Sequence, residues 1–203
     1  MKPGHRPGFS MLDSNHFKIE LRNGVYVLQL RSVDETNRLS RSCVRDLNIA
    51  IDELATDPKP LVITGNQKFF SAGADINEIK LLGVDALEFA RMGQRLMNSI
   101  DQFPSRVWAA VSGYCMGGGL DLALACDIRI AHPDATFGHR GASLGLITGW
   151  GGTQRLPRLI GRSRALQMFV AAEKVNAATA LEIGLVNAIA EDPFAAAQDL
   201  LRR

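Results

Sequence analysis

The residues of this chain that can do chemistry centre on a run of glycines followed by a carboxylate. Gly117-Gly118-Gly119 follow the apolar segment Val107 to Val111 and precede Leu120-Asp121. Glycine destabilises a helix interior by about 1 kcal/mol relative to alanine, so consecutive glycines indicate a close approach of the backbone to something else. A strand that ends in glycines opening a helix presents unpaired N–H groups at the positive end of the helix dipole. Such groups can hold a phosphate, a carboxylate or a developing oxyanion.

Asp121 lies less than one helical turn after Gly118, so its carboxylate and the Gly118 N–H can face one site. An anion-stabilising donor beside a carboxylate is the minimum equipment for proton transfer next to a carbonyl group. The alternative is that the glycines only permit close packing of a helix on a strand. The spacing by itself is compatible with both.

Several other chemistries lack their sequence motifs. The glycine run misses the last glycine of the dinucleotide fingerprint G-x-G-x-x-G, and no phosphate loop with Gly-Lys-Ser/Thr occurs. The histidines are not at metal-ligand spacing with one another or with the cysteines, so we expect no metal site. Cys43, Cys115 and Cys126 show no paired spacing, which predicts reduced thiols in a cytoplasmic protein. Cys115 adjoins the glycines without a basic neighbour, which favours a buried structural thiol.

Charge and hydropathy exclude two classes of partner. A formal net charge of +2 with interspersed acidic and basic residues argues against a nucleic-acid surface. No stretch approaches the roughly 20 apolar residues that a membrane-spanning helix requires, so we expect no membrane partner. The segment from Met1 to Phe9 has no apolar core, and we expect that it is not a secretory signal.

The elements that must position these residues alternate between short strands and helices, which predicts an α/β fold with a mainly parallel sheet. We expect a flexible arm over residues 1–16, a core domain over 17–192 and a short C-terminal helix over 193–203. The expected strands are a strand–turn–strand unit at 17–30 and single strands at 61–64, 107–111 and 128–131. The expected helices cover 44–54, 84–103, 120–125, 162–172 and 177–184, with glycine-rich irregular segments at 65–75 and 138–152.

The chain resembles the crotonase (enoyl-CoA hydratase/isomerase) superfamily from about Phe17 to Asp192. The resemblance rests on motifs in the family's order and spacing: Phe69-Phe70-Ser71-Ala72-Gly73-Ala74-Asp75-Ile76, Ala110-Val111-Ser112-Gly113-Tyr114-Cys115-Met116-Gly117-Gly118-Gly119-Leu120-Asp121, Ala123-Leu124-Ala125-Cys126-Asp127-Ile128-Arg129, Phe137-Gly138 and Gly151-Gly152-Thr153-Gln154-Arg155-Leu156. The resemblance implies a spiral core of ββα units. It also implies an acyl-CoA substrate, with coenzyme A as part of that substrate and no other cofactor.

The resemblance assigns an oxyanion hole to the backbone N–H groups of Ala74 and Gly118, which would hold the thioester oxygen and stabilise an enolate. Substrate-binding positions follow by the same alignment: Ala72, Gly73, Ala74, Asp75, Ile76, Gly117, Gly118, Gly141 and Trp150. Two of them have alternatives. Asp75 can instead be a helix N-cap, and Trp150 can serve plain packing rather than line the acyl pocket.

The acid/base residues depart from the family pattern. Family hydratases resemble one another in a Glu at the position of Asp121 and a second Glu at the position of Gly141. The second carboxylate is absent here, and a single carboxylate supports a 1,3 proton shift more easily than hydration. His139 and Arg140 directly precede Gly141, so an anion can bind near Gly141, as bicarbonate does in some dihydroxynaphthoyl-CoA synthases. His139 is either an acid/base group or a structural histidine.

These observations leave three hypotheses. The first is an acyl-CoA thioester lyase or isomerase of the enoyl-CoA hydratase/isomerase type, with Asp121 as the proton shuttle. The second is an acyl-CoA decarboxylase or C–C-cleaving enzyme of the same fold, and the third is an impaired acyl-CoA-binding paralogue. Family members extend some tens of residues beyond the position of Asp192, so we expect the C-terminal helical region to be shortened or absent. A homo-oligomer (trimer or hexamer) is expected if other elements compensate.

Overall fold

The computed structural model describes residues 14–201, and strands alternate with helices along that range. The strands are β1 (Phe17–Arg22), β2 (Val25–Leu30), β3 (Arg38–Leu39), β4 (Leu61–Thr64), β5 (Phe69–Ser71), β6 (Gly73–Ala74), β7 (Val107–Val111), β8 (Tyr114–Met116), β9 (Ile128–Ala131), β10 (Thr136–Gly138), β11 (Lys174–Asn176) and β12 (Ala188–Ile189). The α-helices are α1 (Arg41–Leu54), α2 (Ile76–Leu81), α3 (Ala86–Asp101), α4 (Gly118–Ala125), α5 (Gly152–Ile160), α6 (Arg162–Val170), α7 (Ala177–Glu182) and α8 (Pro193–Leu201). Single 3₁₀ turns cover Gly83–Asp85 and Gly141–Leu144.

Within residues 14–201 the largest sheet has six strands in the order β1-β2-β4-β7-β9-β12. β1 and β2 form an antiparallel hairpin, and every later pairing in this sheet is parallel. The hairpin turns at Asn23 and Gly24, whose φ values of 53° and 80° suit a tight two-residue turn. β7 is buried along its whole length between β4 and β9, as its continuous apolar sequence predicts. The predicted α/β fold with a mainly parallel sheet is confirmed.

A second sheet and one helix place the glycine run in the interior. β5, β8, β10 and β11 form this sheet, in which β8 lies parallel to both β5 and β10. Gly117 turns the chain from β8 into α4 with φ of 52°, a conformation that favours glycine. The residues of α4 from Gly119 to Ala125 are all buried, so this helix is enclosed on every side, and Asp121 is its one charged residue.

The other helices cover the sheets from outside. α1 and α3 pack against each other, and their buried faces carry the apolar residues that recur at helical spacing. α8 lies over β4, β7 and β9, where Ala197 packs in a cluster with Val62, Trp108 and Ile130. Over the described range, no helix is long and apolar enough to cross a membrane.

Several short elements differ from those that the sequence predicts. The expected irregular segment 65–75 contains β5 and β6, because its few strand residues are paired by β8 and by β3, far away in the chain. The helix expected over 84–103 begins at Ala86, and α2 precedes it as a separate element. α5 was not among the expected helices, and Pro157 lies inside it. Of the expected arm, residues 1–13 lie outside the described range, whereas the carbonyl of Ser14 accepts hydrogen bonds from the Arg31 guanidinium.

Candidate active site

A cavity of about 270 Å³ lies at the N-terminal end of α4. Its lining contains most of the residues that the sequence assigns to the site: Ala72, Ala74, Ile76, Gly117, Gly118, Asp121, His139, Gly141 and Trp150. Gly73 and Asp75 lie beside the cavity without lining it. The Asp75 carboxylate accepts hydrogen bonds from the amides of Asn77 and Glu78, so it caps α2.

Two backbone amides meet at one edge of the cavity. Gly118 is the first residue of α4, where an amide has no acceptor within the helix. A Cβ added to Gly118 would lie 3.3 Å from the Ala74 nitrogen, and one added to Gly73 would lie 3.0 Å from the Gly118 nitrogen. The amides of Ala74 and Gly118 are therefore neighbours, with no side chain between them. This arrangement can hold one oxygen atom that carries negative charge.

A buried network holds the loop that carries Ala74. The Ser71 hydroxyl donates a hydrogen bond of 2.7 Å to the Asn37 carbonyl and accepts one of 3.1 Å from the Gly73 amide. The Asn37 side chain donates to the carbonyls of Phe69 and Phe70. A Cβ added to Gly119 would lie 2.7 Å from the Ser71 side chain, so this glycine serves close packing. The glycine run therefore serves both purposes that its sequence allows. Gly118 presents its amide at the cavity, and Gly119 permits close packing against the loop.

Asp121 is 1 % exposed, and one edge of its carboxylate is held by other groups of the site. The Thr148 hydroxyl donates a short hydrogen bond to Oδ2. Burial raises the pKa of Asp121 from 3.8 to about 7, and Thr148, Arg155 and the Trp150 backbone oppose this rise in decreasing order. A carboxyl group with this pKa can release and take up a proton near neutral pH.

His139 lies against the other edge of that carboxylate. Its Nε2 is 3.4 Å from Oδ1 of Asp121, and neither of these two buried atoms has a hydrogen-bond partner. Burial lowers the pKa of His139 from 6.5 to about 4, so the imidazole is neutral at pH 7. Gly152 leaves room for the pair, because a Cβ there would lie 2.1 Å from Oδ1 and 3.1 Å from Nε2.

The position of the missing second carboxylate is filled by backbone. A Cβ added to Gly141 would lie 2.6 Å from the carbonyl oxygen of Leu146, whose amide donates to the Gly141 carbonyl. The segment from Gly141 to Gly145 also has the G-x-S-x-G spacing of a nucleophile elbow. It forms a 3₁₀ turn rather than a strand-to-helix turn, and the Ser143 hydroxyl donates to the Arg140 carbonyl. This arrangement does not activate Ser143 as a nucleophile.

Most of the remaining wall of the cavity is apolar. Ile79, Leu82, Phe89, Leu144, Leu146 and Ile147 line it together with Trp150. Trp150 is 5 % exposed, and its ring meets that of Phe89 edge to face at 5.3 Å between centroids. An acyl chain whose carbonyl oxygen occupied the two amides would therefore run over apolar side chains.

Cys115, which adjoins the glycine run in the sequence, has a structural role. Cys115 is fully buried, and desolvation raises the pKa of its thiol well above 9.0, so it is not an activated nucleophile. Across residues 14–201, no group of three His, Cys, Asp or Glu side chains is placed to bind a metal ion.

Sequence reasoning assigned no role to Thr148 or Gly152. Thr148 lies in an irregular segment, and its distance along the chain from Asp121 carries no periodic signal. Gly152 belongs to a matched motif, but only its position beside Asp121 and His139 reveals what its missing side chain permits.

Known proteins share both the sequence pattern and the fold. A sequence model of the enoyl-CoA hydratase/isomerase family matches residues 20–198. A protein named probable enoyl-CoA hydratase from Bacillus subtilis (strain 168) is 42 % identical over 160 residues, covering 77 % of this chain and 62 % of that protein. The solved structure of Pseudomonas aeruginosa DspI is 36 % identical, with a TM-score of 0.89 over 96 % of this chain and 76 % of that one. An enoyl-CoA hydratase structure from Bacillus anthracis is 30 % identical, with a TM-score of 0.88 over 92 % and 75 % of the two chains.

Proposed function

The chain belongs to the enoyl-CoA hydratase/isomerase family of the crotonase superfamily, and on that premise we propose that it is an acyl-CoA thioester lyase or isomerase that forms a thioester enolate. Because the chain spans 62 % of the length of its Bacillus subtilis relative, the activity, substrate and partners of the whole protein are part of this proposal. We assign Ala74 and Gly118 to an oxyanion hole, and Asp121 and His139 to proton transfer.

In the proposed isomerisation the thioester oxygen accepts hydrogen bonds from the amides of Ala74 and Gly118. The Asp121 carboxylate removes a proton from C2 of a 3-enoyl-CoA, and the electron pair of that C–H bond enters the enolate. The carboxyl group then returns the proton to C4. The C2–H bond breaks, a C4–H bond forms, and the double bond moves from C3–C4 to C2–C3 without any other reactant.

Hydration would need a second group that places a water molecule. His139 is the candidate, because Nε2 lies 3.4 Å from the Asp121 carboxylate and position 141 carries no side chain. As a neutral imidazole it can accept a hydrogen bond from water while Asp121 delivers a proton to carbon.

One observation carries the proposal. A carboxyl group that is 1 % exposed, with a pKa raised to about 7, lines the same cavity as two adjacent backbone amides with no side chain between them. Burial makes each electrostatic interaction in such a site stronger than it would be in water. The helix dipole of α4 adds partial positive charge at Gly118, where negative charge would develop.

Two further elements of the proposal concern partners. An anion near Gly141 would contact Arg140 at the cavity, since the Leu146 carbonyl occupies the space next to the Gly141 Cα. Added formate or bicarbonate should then raise turnover, and unchanged turnover would count against the anion. We also propose a homotrimer or hexamer, which light scattering of the purified protein can test.

Exchange of the C2 protons of butyryl-CoA in deuterated water tests enolate formation separately from any later step. We expect deuterium incorporation by the wild-type protein and a loss of at least a hundredfold in D121N, within the usual contribution of a positioned acid/base group. D127N is the matched control, because Asp127 lies outside the cavity, where it accepts a hydrogen bond from the Val107 amide.

Incubation with crotonyl-CoA, a 3-enoyl-CoA and a malonyl-type CoA then identifies the reaction. Conversion of the 3-enoyl-CoA supports isomerisation, and hydration of crotonyl-CoA that is lost in H139Q supports His139 as the second group. Turnover of the malonyl-type thioester alone would favour decarboxylation. Exchange that survives D121N would refute Asp121 as the proton shuttle, and binding without exchange or turnover would favour an impaired paralogue.

A further inference from the structure

The indole of Trp150 is wedged between two helices at glycine positions. A Cβ added to Gly93 of α3 would lie 2.1 Å from Nε1 of Trp150, and one added to Gly118 of α4 would lie 2.5 Å from the six-membered ring. Any larger residue at either position would displace the indole. The ring therefore occupies space that two helices leave open for it, beside an amide of the proposed oxyanion hole.

The backbone around Trp150 is held as well as its side chain. The Gln94 side chain donates a hydrogen bond of 2.8 Å to the carbonyl of Gly149, and the Arg155 guanidinium donates to the carbonyl of Trp150. With the Phe89 ring packed edge to face on the indole, the ring has little freedom to move. It is a fixed wall.

Trp150 adjoins two cavities. The apolar cavity described above has a volume of about 270 Å³, near the lower end of ordinary ligand pockets. A second cavity of about 680 Å³ also has Trp150 in its lining, which consists largely of polar residues, among them Asn98, Arg155 and Arg158. Gly149 and Trp150 belong to both linings, so Trp150 lies where the two cavities adjoin.

We infer that Trp150 determines acyl-chain specificity by closing the inner end of the acyl pocket against the second cavity, so that the site takes short acyl chains. The inference rests on the proposed function, since it takes the Gly118 amide as the place of the thioester oxygen. An acyl chain that starts there meets the indole ring, which lies against Gly118. A smaller side chain at this position frees the space that the indole fills between Gly93 and Gly118, and a longer chain can occupy it.

Binding of saturated acyl-CoA thioesters from butyryl to decanoyl tests this without requiring turnover. Each methylene buried in an apolar pocket should tighten binding by about fourfold, and a methylene that does not fit weakens it tenfold or more. For the wild-type protein we expect affinity to stop rising once the chain reaches the indole. For W150A we expect the decanoyl-to-butyryl affinity ratio to increase at least tenfold over the wild-type ratio.

The control uses the other tryptophan of the chain. Trp108 is 4 % exposed on β7 and does not line the acyl cavity. W108F should keep the wild-type chain-length profile. It also leaves Trp150 as the sole indole of the sequence, so butyryl-CoA should change its fluorescence. W150F, which retains Trp108, should show no such change, and its smaller ring should shift the chain-length profile partway towards longer chains even if W150A fails to fold.

The outcomes separate this inference from the function on which it rests. If the wild-type protein binds no acyl-CoA, the proposed function is wrong and the inference falls with it. If the wild-type protein binds but the Trp150 variants show a parallel chain-length profile, only the inference is overturned. Unchanged Trp150 fluorescence in W108F during binding that calorimetry records would also overturn it.

Discussion

Replacing Asp121 with Asn should make the protein more stable than wild type, by an amount that grows as the pH rises through neutrality. Burial raises the pKa of Asp121 from 3.8 in an ordinary setting to about 7 in the folded chain. The folded state therefore binds a proton that the unfolded state has released at intermediate pH. This contribution to stability is fully present below pH 3.8 and is lost as the pH rises through about 7.

The magnitude follows from the size of the shift. One pKa unit corresponds to about 1.4 kcal/mol, so the full loss is about 4 kcal/mol, of which about 3 kcal/mol develops between pH 4.5 and 8.5. Asparagine has the shape of the carboxyl group without its charge. Its amide can donate to the neutral imidazole of His139, which lies 3.4 Å from the carboxylate in the native protein. The stability of D121N should therefore not fall as the pH rises, and the substitution leaves no buried polar group unpaired.

His139 provides an internal control of opposite sign. Burial lowers its pKa from 6.5 to about 4, so its contribution to stability is lost as the pH falls from 6.5 towards 4. In the wild-type protein the two dependences oppose each other across this range. H139Q removes one of them, and its stability should fall more steeply with rising pH than that of the wild type.

Urea unfolding gives the free energy of unfolding of the wild type, D121N and H139Q at half-unit steps from pH 4.5 to 8.5. An unchanged slope of that free energy against urea concentration shows that the three proteins unfold by the same transition. The difference between D121N and wild type should rise with pH and level off above pH 7. A difference that is flat, or that falls with pH, would refute the buried, uncompensated carboxylate on which the proposed proton transfer depends.

Two further predictions concern the groups around this carboxylate. T148V removes the hydroxyl that donates to Asp121, so the pKa of Asp121 should rise above about 7 and the pH profile of C2 deuterium exchange should shift to higher pH, whereas T148S should restore it. G152A places a Cβ 2.1 Å from the Asp121 carboxylate, so urea unfolding should show a loss of about 1–3 kcal/mol and deuterium exchange should fall about a hundredfold. G149A, where an added Cβ meets no atom within 4 Å, should lose far less stability, and equal losses in the two alanine variants would contradict the steric argument.

The secondary-structure predictions that the structure confirms rest on local sequence signals. The β1–β2 hairpin, β7 and the long helices α1 and α3 follow from turn residues and from apolar periodicity, which neighbouring residues set. The short strands β5 and β6 escaped prediction because their hydrogen-bond partners are distant in the chain. α5 was not among the expected helices, and it contains Pro157, a residue that disfavours a helix interior.

The sequence by itself determined the family, the glycine-opened helix and the carboxylate one turn into it. Those features are encoded by residue type over short spacings, and a chain turning at Gly117 with positive φ has few alternatives. Only the tertiary structure decided that His139 faces Asp121, that Thr148 holds the opposite oxygen, and that the Leu146 backbone fills the place of a second carboxylate. These contacts join a buried helix to an irregular segment whose path is set by packing rather than by any repeat in its residues, so no local pattern could have revealed them.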